Sequence, residues 1–251
     1  MRDRGAGHGV EAAVDGLFAD VVRAGENVAA LRDALARTSP DEALLVALLR
    51  RAVPIALLQL LATEPPWCDR PLVLGGVVRN PRVPRGLGLK LLPSLFWRDL
   101  TQVAANPWTQ GALRVRAEAL LKDLLPDMRL GDKVAAARLA TPPVLALLLQ
   151  ESDPRIIEAA LLNPRLKEED LLRQIRSDSV PVPLLEAVSE APRWRDHYEV
   201  RLGLVLQPRT PLGIALSCVS GLVRRDLLRV SEAPGLRPVV QAAALRVATG
   251  E

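Results

Sequence analysis

Histidine, cysteine and aromatic side chains are nearly missing from this chain of 251 residues, which has two histidines, two cysteines and 3% aromatics. Cys68 and Cys218 are too few for a disulfide framework, and neither belongs to a Cys-x-x-Cys pair; both read as reduced, small apolar residues of a cytosolic protein. His8 and His197 have no cysteine, histidine or carboxylate at metal-ligand spacing, so no metal is expected. There is no Gly-x-Ser-x-Gly elbow, no Walker loop and no complete Gly-x-Gly-x-x-Gly; Gly86-Leu87-Gly88 is a fragment inside a helical segment. These absences leave little for acid–base, nucleophilic or cofactor chemistry, so no enzyme and no cofactor is expected. Long apolar runs are missing too. Val144 to Leu149 reaches about a third of a membrane span. The polar, Gly-rich start, residues 1–9, reads as a flexible tail and not as a signal peptide. A soluble, cytoplasmic protein without membrane partners is expected.

Hydrophobic residues still make up 49% of the chain, so the core has to be built from Leu, Val and Ala. Leu and Ala favour helices, and the strand-favouring aromatic residues are under-used beside them. The expectation is an all-α fold.

Self-similarity is the strongest signal present. Val53-Pro54-Ile55-Ala56-Leu57-Leu58 aligns with Val180-Pro181-Val182-Pro183-Leu184-Leu185 at an offset of 127. Without a gap, Trp67 falls on Trp194, Asp69 on Asp196, Pro81-Arg82 on Pro208-Arg209, Arg98-Asp99-Leu100 on Arg225-Asp226-Leu227, and Pro107 on Pro234. From Arg37 to Leu121 there are about 25 identities in about 85 positions, some three times the chance level for a Leu/Ala-rich chain. A finer period lies inside the block: Asn-Pro-Arg at Asn80 and Asn163, and Gln-Pro-Arg at Gln207, are spaced by two units and one unit of about 42 residues. That period lies in the range of helical-pair repeats.

Proline just past an apolar segment stops a helix, as after Ile156 to Leu162 and after Val200 to Leu206. Thr210-Pro211 reads as an N-cap followed by Pro at the first helical position. Ser39-Pro40-Asp41-Glu42 reads as a capping box, and Glu168, Glu169 and Asp170 as the first turn of a helix carrying Leu171, Leu172 and Ile175. Trp67 and Trp194 read as wedges between repeats, and Asp69 and Asp196 as caps of the next helix; the alternative is an exposed aromatic and acidic binding spot. Arg98-Asp99 and Arg225-Asp226 read as helix-start pairs, with Asp capping its own helix.

An apolar helix, then Asn-Pro-Arg-x-Pro, then another apolar helix resembles the HEAT-like bacterial repeats, in particular the leucine-rich repeat variant group. The resemblance is carried by Val77 to Leu92, Ala160 to Leu172 and Leu204 to Leu216, without the iron–sulfur cysteine cluster of some members. It implies a right-handed α-solenoid with a surface that binds macromolecules. The domain reading is a tail over 1–9 and one solenoid domain over 10–251, its halves 10–136 and 137–251. HEAT-like DNA glycosylases combine an aspartate with tryptophans on a basic surface, and Asp99, Trp97 and Trp108 offer the same residue types.

Charge is uneven along the chain, whose formal net charge is +4. From Arg70 to Arg116 about eight basic residues face one acid, while Ala117 to Asp170 is net acidic by about three. Repeat proteins concentrate binding on an extended face. The candidate partner-binding residues are therefore Arg79, Arg82, Arg85, Trp97, Arg98, Trp108, Arg114 and Arg116; solvated loop positions are the plain alternative. The functional expectation is a non-catalytic protein-interaction scaffold. The alternative is a nucleic-acid-binding or DNA-repair protein using residues 70–116.

Overall fold

Leu- and Ala-rich segments punctuated by proline fold as helices throughout. A computed structural model describes residues 4–250, with side chains from Glu11 onward. Among these residues 68% of the chain is helical and no strand forms. The helices are α1 (Arg4–Ala24), α2 (Val28–Thr38), α3 (Glu42–Leu48), α4 (Ile55–Thr63), α5 (Pro71–Arg79), α6 (Arg85–Leu91), α7 (Trp97–Ala105) and α8 (Gly111–Leu124). They continue as α9 (Leu130–Ala137), α10 (Pro142–Leu148), α11 (Pro154–Leu161), α12 (Glu168–Ile175), α13 (Val182–Glu190), α14 (Tyr198–Leu206), α15 (Leu212–Val219), α16 (Arg224–Glu232) and α17 (Pro238–Thr249). Short 3₁₀ turns follow α6 and α8. No helix of the described residues is long and apolar enough to cross a membrane. The first part of the expected tail, residues 1–3, lies outside the described residues; α1 starts at Arg4, inside that expected tail.

The offset seen in the sequence recurs in the helix bounds. α13 to α17 each begin 127 residues after α4 to α8. The finer spacing differs from the helix-pair expectation: α11 and α14, which both precede a Pro-Arg turn, have two helices between them. About 42 residues therefore hold three short helices, each with its connection roughly 14 residues long.

Packing divides the chain into two compact units, Met1–Leu124 and Leu125–Glu251. Inside each unit, helices pack on the next but one. In the first, α1, α3, α5 and α7 form one series, and α2 packs on α4 and α6 on α8. In the second, α10, α12, α14 and α16 form a series; α9, α11 and α13 form another, with α15 on α17. Val73, Val77, Leu100 and Val103 are buried in one series, and Ile157, Leu184 and Leu185 in the other unit. Burying each such side chain contributes about 1.5–3 kcal/mol. Close approach in the first unit depends on Gly75 and Gly76: a Cβ there would stand 2.6 Å from Asp99 Oδ1 and 2.8 Å from Leu49 Cδ1.

The turn amides close the helix ends. Asn80 Nδ2 donates to Leu49 O (2.9 Å) and Arg51 O (2.7 Å), at the end of α3, while its Oδ1 accepts from Arg82 N (3.0 Å). Asn163 does the same to Ala137 O (2.7 Å) and Ala140 O (3.1 Å) after α9, and takes Arg165 N (2.8 Å). Gln207, one methylene longer, reaches Ile175 O (2.6 Å) and Ser177 O (3.1 Å) after α12. The Asn/Gln-Pro-Arg element is thus a latch from one helix of a series onto the C-terminal carbonyls of the preceding one.

Several local readings shift. Asp41, not Ser39, caps α3, accepting from Leu44 N at 2.7 Å; Ser39 closes α2 with φ 44°. Pro211 occupies the N-cap of α15, and the buried Thr210 hydroxyl has no hydrogen-bond partner among the described residues. Asp69 and Asp196 cap nothing: the N-caps of α5 and α14 are Arg70 and His197. Glu168, Glu169 and Asp170 do stand in the first turn of α12.

Asn163→Ala leaves buried carbonyls open and is expected to destabilise the fold by about 2 kcal/mol in chemical denaturation. Asn106→Ala serves as comparison, because Asn106 only receives Trp108 N at 3.0 Å; equal losses would remove the latch account. Thr210→Val places at this position the residue found at Val83, 127 positions earlier, and is expected to stabilise by about 1 kcal/mol. An unchanged or lower melting temperature would contradict it.

Candidate functional site

The acidic side chain best placed for chemistry by sequence, Asp99, is buried in the first turn of α7. It does not cap its helix. Arg79, from the last turn of α5, donates to Asp99 Oδ1 at 2.7 Å and also to the Gln102 side-chain oxygen. Both partners of the ion pair are largely shielded, with side chains 21% and 8% exposed. In the second unit Leu206 stands at the place of Arg79, and the equivalent buried acid, Asp226, instead receives the Tyr198 hydroxyl at 2.5 Å. Burial together with Asp226 pushes the Tyr198 phenol above its ordinary value, desolvation being the larger cause. Both acids therefore hold neighbouring helices of one series together.

The eight candidate residues do not converge. Arg79 is committed to Asp99. Arg82 is exposed and only 3.8 Å from Glu26, and Arg85 is exposed at the start of α6. The turn after α5 is tied to the turn after α7 by Gln110 Nε2 donating to Val83 O at 2.7 Å. Arg82, Arg85 and Trp108 thus belong to one edge of the first unit. Trp108 is 85% exposed there. Trp97 and Arg98 start α7, at its other end, with the Arg98 guanidinium 5.3 Å from the Trp97 ring. The nine residues of α7 separate the two tryptophans by roughly 14 Å along its axis. Trp97, Trp108 and Asp99 consequently do not surround one cleft. Arg114 is half-buried, its Nε without a partner among the described residues, and Arg116 is exposed.

A pocket of about 290 Å³ that the sequence reading missed lies across α3, α5 and α7. Arg50, Arg79, Gln102 and Asn106 supply its polar lining, and Val46, Leu49 and Gly76 its floor. Its polar lining is particular to the first unit, for Leu206, Arg229 and Ala233 replace Arg79, Gln102 and Asn106. Those differences between the copies were the available signal. Two arginines favour an anionic group, but the pocket sits at the C-terminal ends of three helices, whose dipoles disfavour one. The arginines first complement those ends. Among the described residues, no group of three or more His, Cys, Asp or Glu side chains is arranged to hold a metal ion.

Asp99→Leu strands Arg79 and is expected to destabilise the first unit by about 3 kcal/mol. Adding Arg79→Leu, the residue of the second copy, is expected to recover most of that loss in the same denaturation measurement; a double variant no more stable than Asp99→Leu would contradict the pairing. No family model, curated protein or solved structure matches this chain.

Proposed function

We propose that the chain is a non-catalytic protein-interaction scaffold of HEAT-like helical repeats, a right-handed α-solenoid acting in the bacterial cytoplasm. One observation carries the interaction reading. The acids suited to proton transfer, Asp99 and Asp226, are buried in bonds between helices. Two large aromatic side chains are instead left in solvent, Phe96 at 62% and Trp108 at 85% exposure. Exposed aromatics of this kind are the residue type enriched among interface anchors. The next-but-one packing within each unit supports the repeat reading. Nucleic acid is less well supported, because Arg79 is neutralised by Asp99, Arg114 is half-buried, and Arg82 and Arg85 lie at the opposite end of α7 from Arg98.

The test compares affinity capture from host extract by the native chain and by a Phe96→Ser, Trp108→Ser double variant, both nuclease-treated. A protein enriched by the native chain and lost with the variant is the expected result. Equal recovery by both would sink the reading. Salt-sensitive binding of the purified chain to duplex DNA, with no captured protein, would replace it by the nucleic-acid alternative.

A further inference from the structure

The two equivalent tryptophans have different fates. Trp194 is 2% exposed, and its Nε1–H donates to Leu161 O at 2.9 Å. Arg193 beside it lies 4.4 Å from the indole ring and donates to Asn163 O at 2.8 Å and Leu166 O at 2.9 Å. Together they occupy the space against the end of α11 and the turn that follows it. In the first unit three of these positions, at Ala36, Ser39 and Trp67, line an open groove of about 400 Å³. Leu35, Ala36 and Pro40 from α2 and its turn, Leu60 and Glu64 from α4 and its end, and Trp67 form its walls.

The groove stays open for identifiable reasons. Pro66 stands where Arg193 does and has no side-chain donor. Helix α2 continues to Thr38, four residues beyond the position matching the end of α11, so the carbonyl matching that of Leu161, at Ala34, lies inside a helix. The carbonyl matching that of Asn163, at Ala36, already accepts from Ser39 Oγ at 3.1 Å. Trp67 therefore stays half-buried at the wall, with the Arg70 guanidinium 5.0 Å from its ring. What remains is a groove with an apolar floor and an aromatic wall, rimmed by Arg32, Ser39, Glu64 and Arg70, in which Glu64 supplies a carboxylate acceptor. Glu64 is held by Arg32 in a bidentate pair, at 3.0 and 2.5 Å, which keeps its carboxyl below the usual range. A carboxylate so paired still has lone pairs for an N–H.

We propose that this groove is the docking site for an aromatic side chain of a partner protein, an indole above all, seated where the second unit seats its own Trp194. The partner's existence rests on the interaction reading above; the shape and chemistry of the groove stand on the filled counterpart. An entering indole packs against Trp67 and Ala36, over the nearly buried Leu35, Leu60 and Pro40, and directs its N–H to Glu64.

The probe is the acetylated, amidated peptide Ala-Pro-Arg-Trp-Arg, the sequence of residues 191–195, titrated into the full chain and followed by backbone amide NMR. Saturable shifts at Leu35, Ala36, Leu60 and Glu64 are expected, with a Kd on the order of 0.1–1 mM for so small a ligand. Replacing Trp194 by Ala in the peptide should weaken binding at least about tenfold. Ala36→Trp in the protein, a substitution at an exposed position that fills the groove, should do the same. Shifts that do not saturate, or that survive the Trp-to-Ala change, overturn the proposal. So does nuclear Overhauser contact of Trp67 with Leu35 and Leu60 side chains in the free chain, which would mean that it fills its own groove, or self-association abolished by Trp108→Ala, which would make the occupant a second copy. Peptide binding without any captured host protein would count against the interaction reading alone.

Discussion

In a helix of eight residues, half the carbonyls have no partner within the helix. A fold made of segments such as α11 and α12 therefore depends on whatever closes those ends. Here it is the side-chain amide at the end of a neighbouring helix. Asn80, Asn163 and Gln207 each use both amide hydrogens on carbonyls of the preceding helix in the series, and the amide oxygen on the backbone of their own turn. The arginine of the same motif adds a bond where it can: Arg165 to Leu139 O at 3.1 Å and Arg209 to Asp178 O at 3.2 Å. Helix closure and helix-to-helix spacing are thus set by one residue. Proline between them only has to stop the helix where the amide can reach.

The spacing so fixed decides which polar groups can be buried. With α5 and α7 held close across Gly75, a carboxylate at position 99 has to find a cation, and Arg79 supplies it. The second unit keeps the carboxylate but has Leu202 and Leu206 in place of Gly75 and Arg79. Tyr198 then supplies a hydroxyl in place of the cation, and its oxygen also lies 3.3 Å from Val223 N. The two solutions are not interchangeable piecemeal: moving one partner alone leaves a buried charge or hydroxyl unmatched, which costs more than either arrangement contributes.

The sequence made the helical class and the 127-residue offset legible, because both are carried by composition and by many positions at once. It also singled out Asn-Pro-Arg, though as a stop signal; that its amide binds carbonyls some 30 residues earlier is a tertiary fact with no local signature. Identity at equivalent positions misled where the neighbours differed. Trp67 and Trp194 read alike, yet only Trp194 is buried, because Arg193 has become Pro66 and α2 runs longer than α11. Caps were misplaced by one or two residues, at Ser39 and Thr210, for a related reason: several capping residue types stand together there, and packing selects among them.

Charge counts along the chain mislead in the same way. The stretch from Arg70 to Arg116 is strongly basic as a string, but Arg79 is neutralised by Asp99 and Arg114 is half-buried. Arg70 and Arg98 lie over Trp67 and Trp97, at 5.0 and 5.3 Å from the rings. An arginine stacked on an indole keeps its charge while covering apolar surface. The first unit thereby presents arginine and aromatic surface together, on two edges and beside an open groove, where the second unit has turned its tryptophan inward. A surface of that kind discriminates by shape and by aromatic contact more than by net charge. The difference between the copies, rather than the motif they share, is where recognition is built.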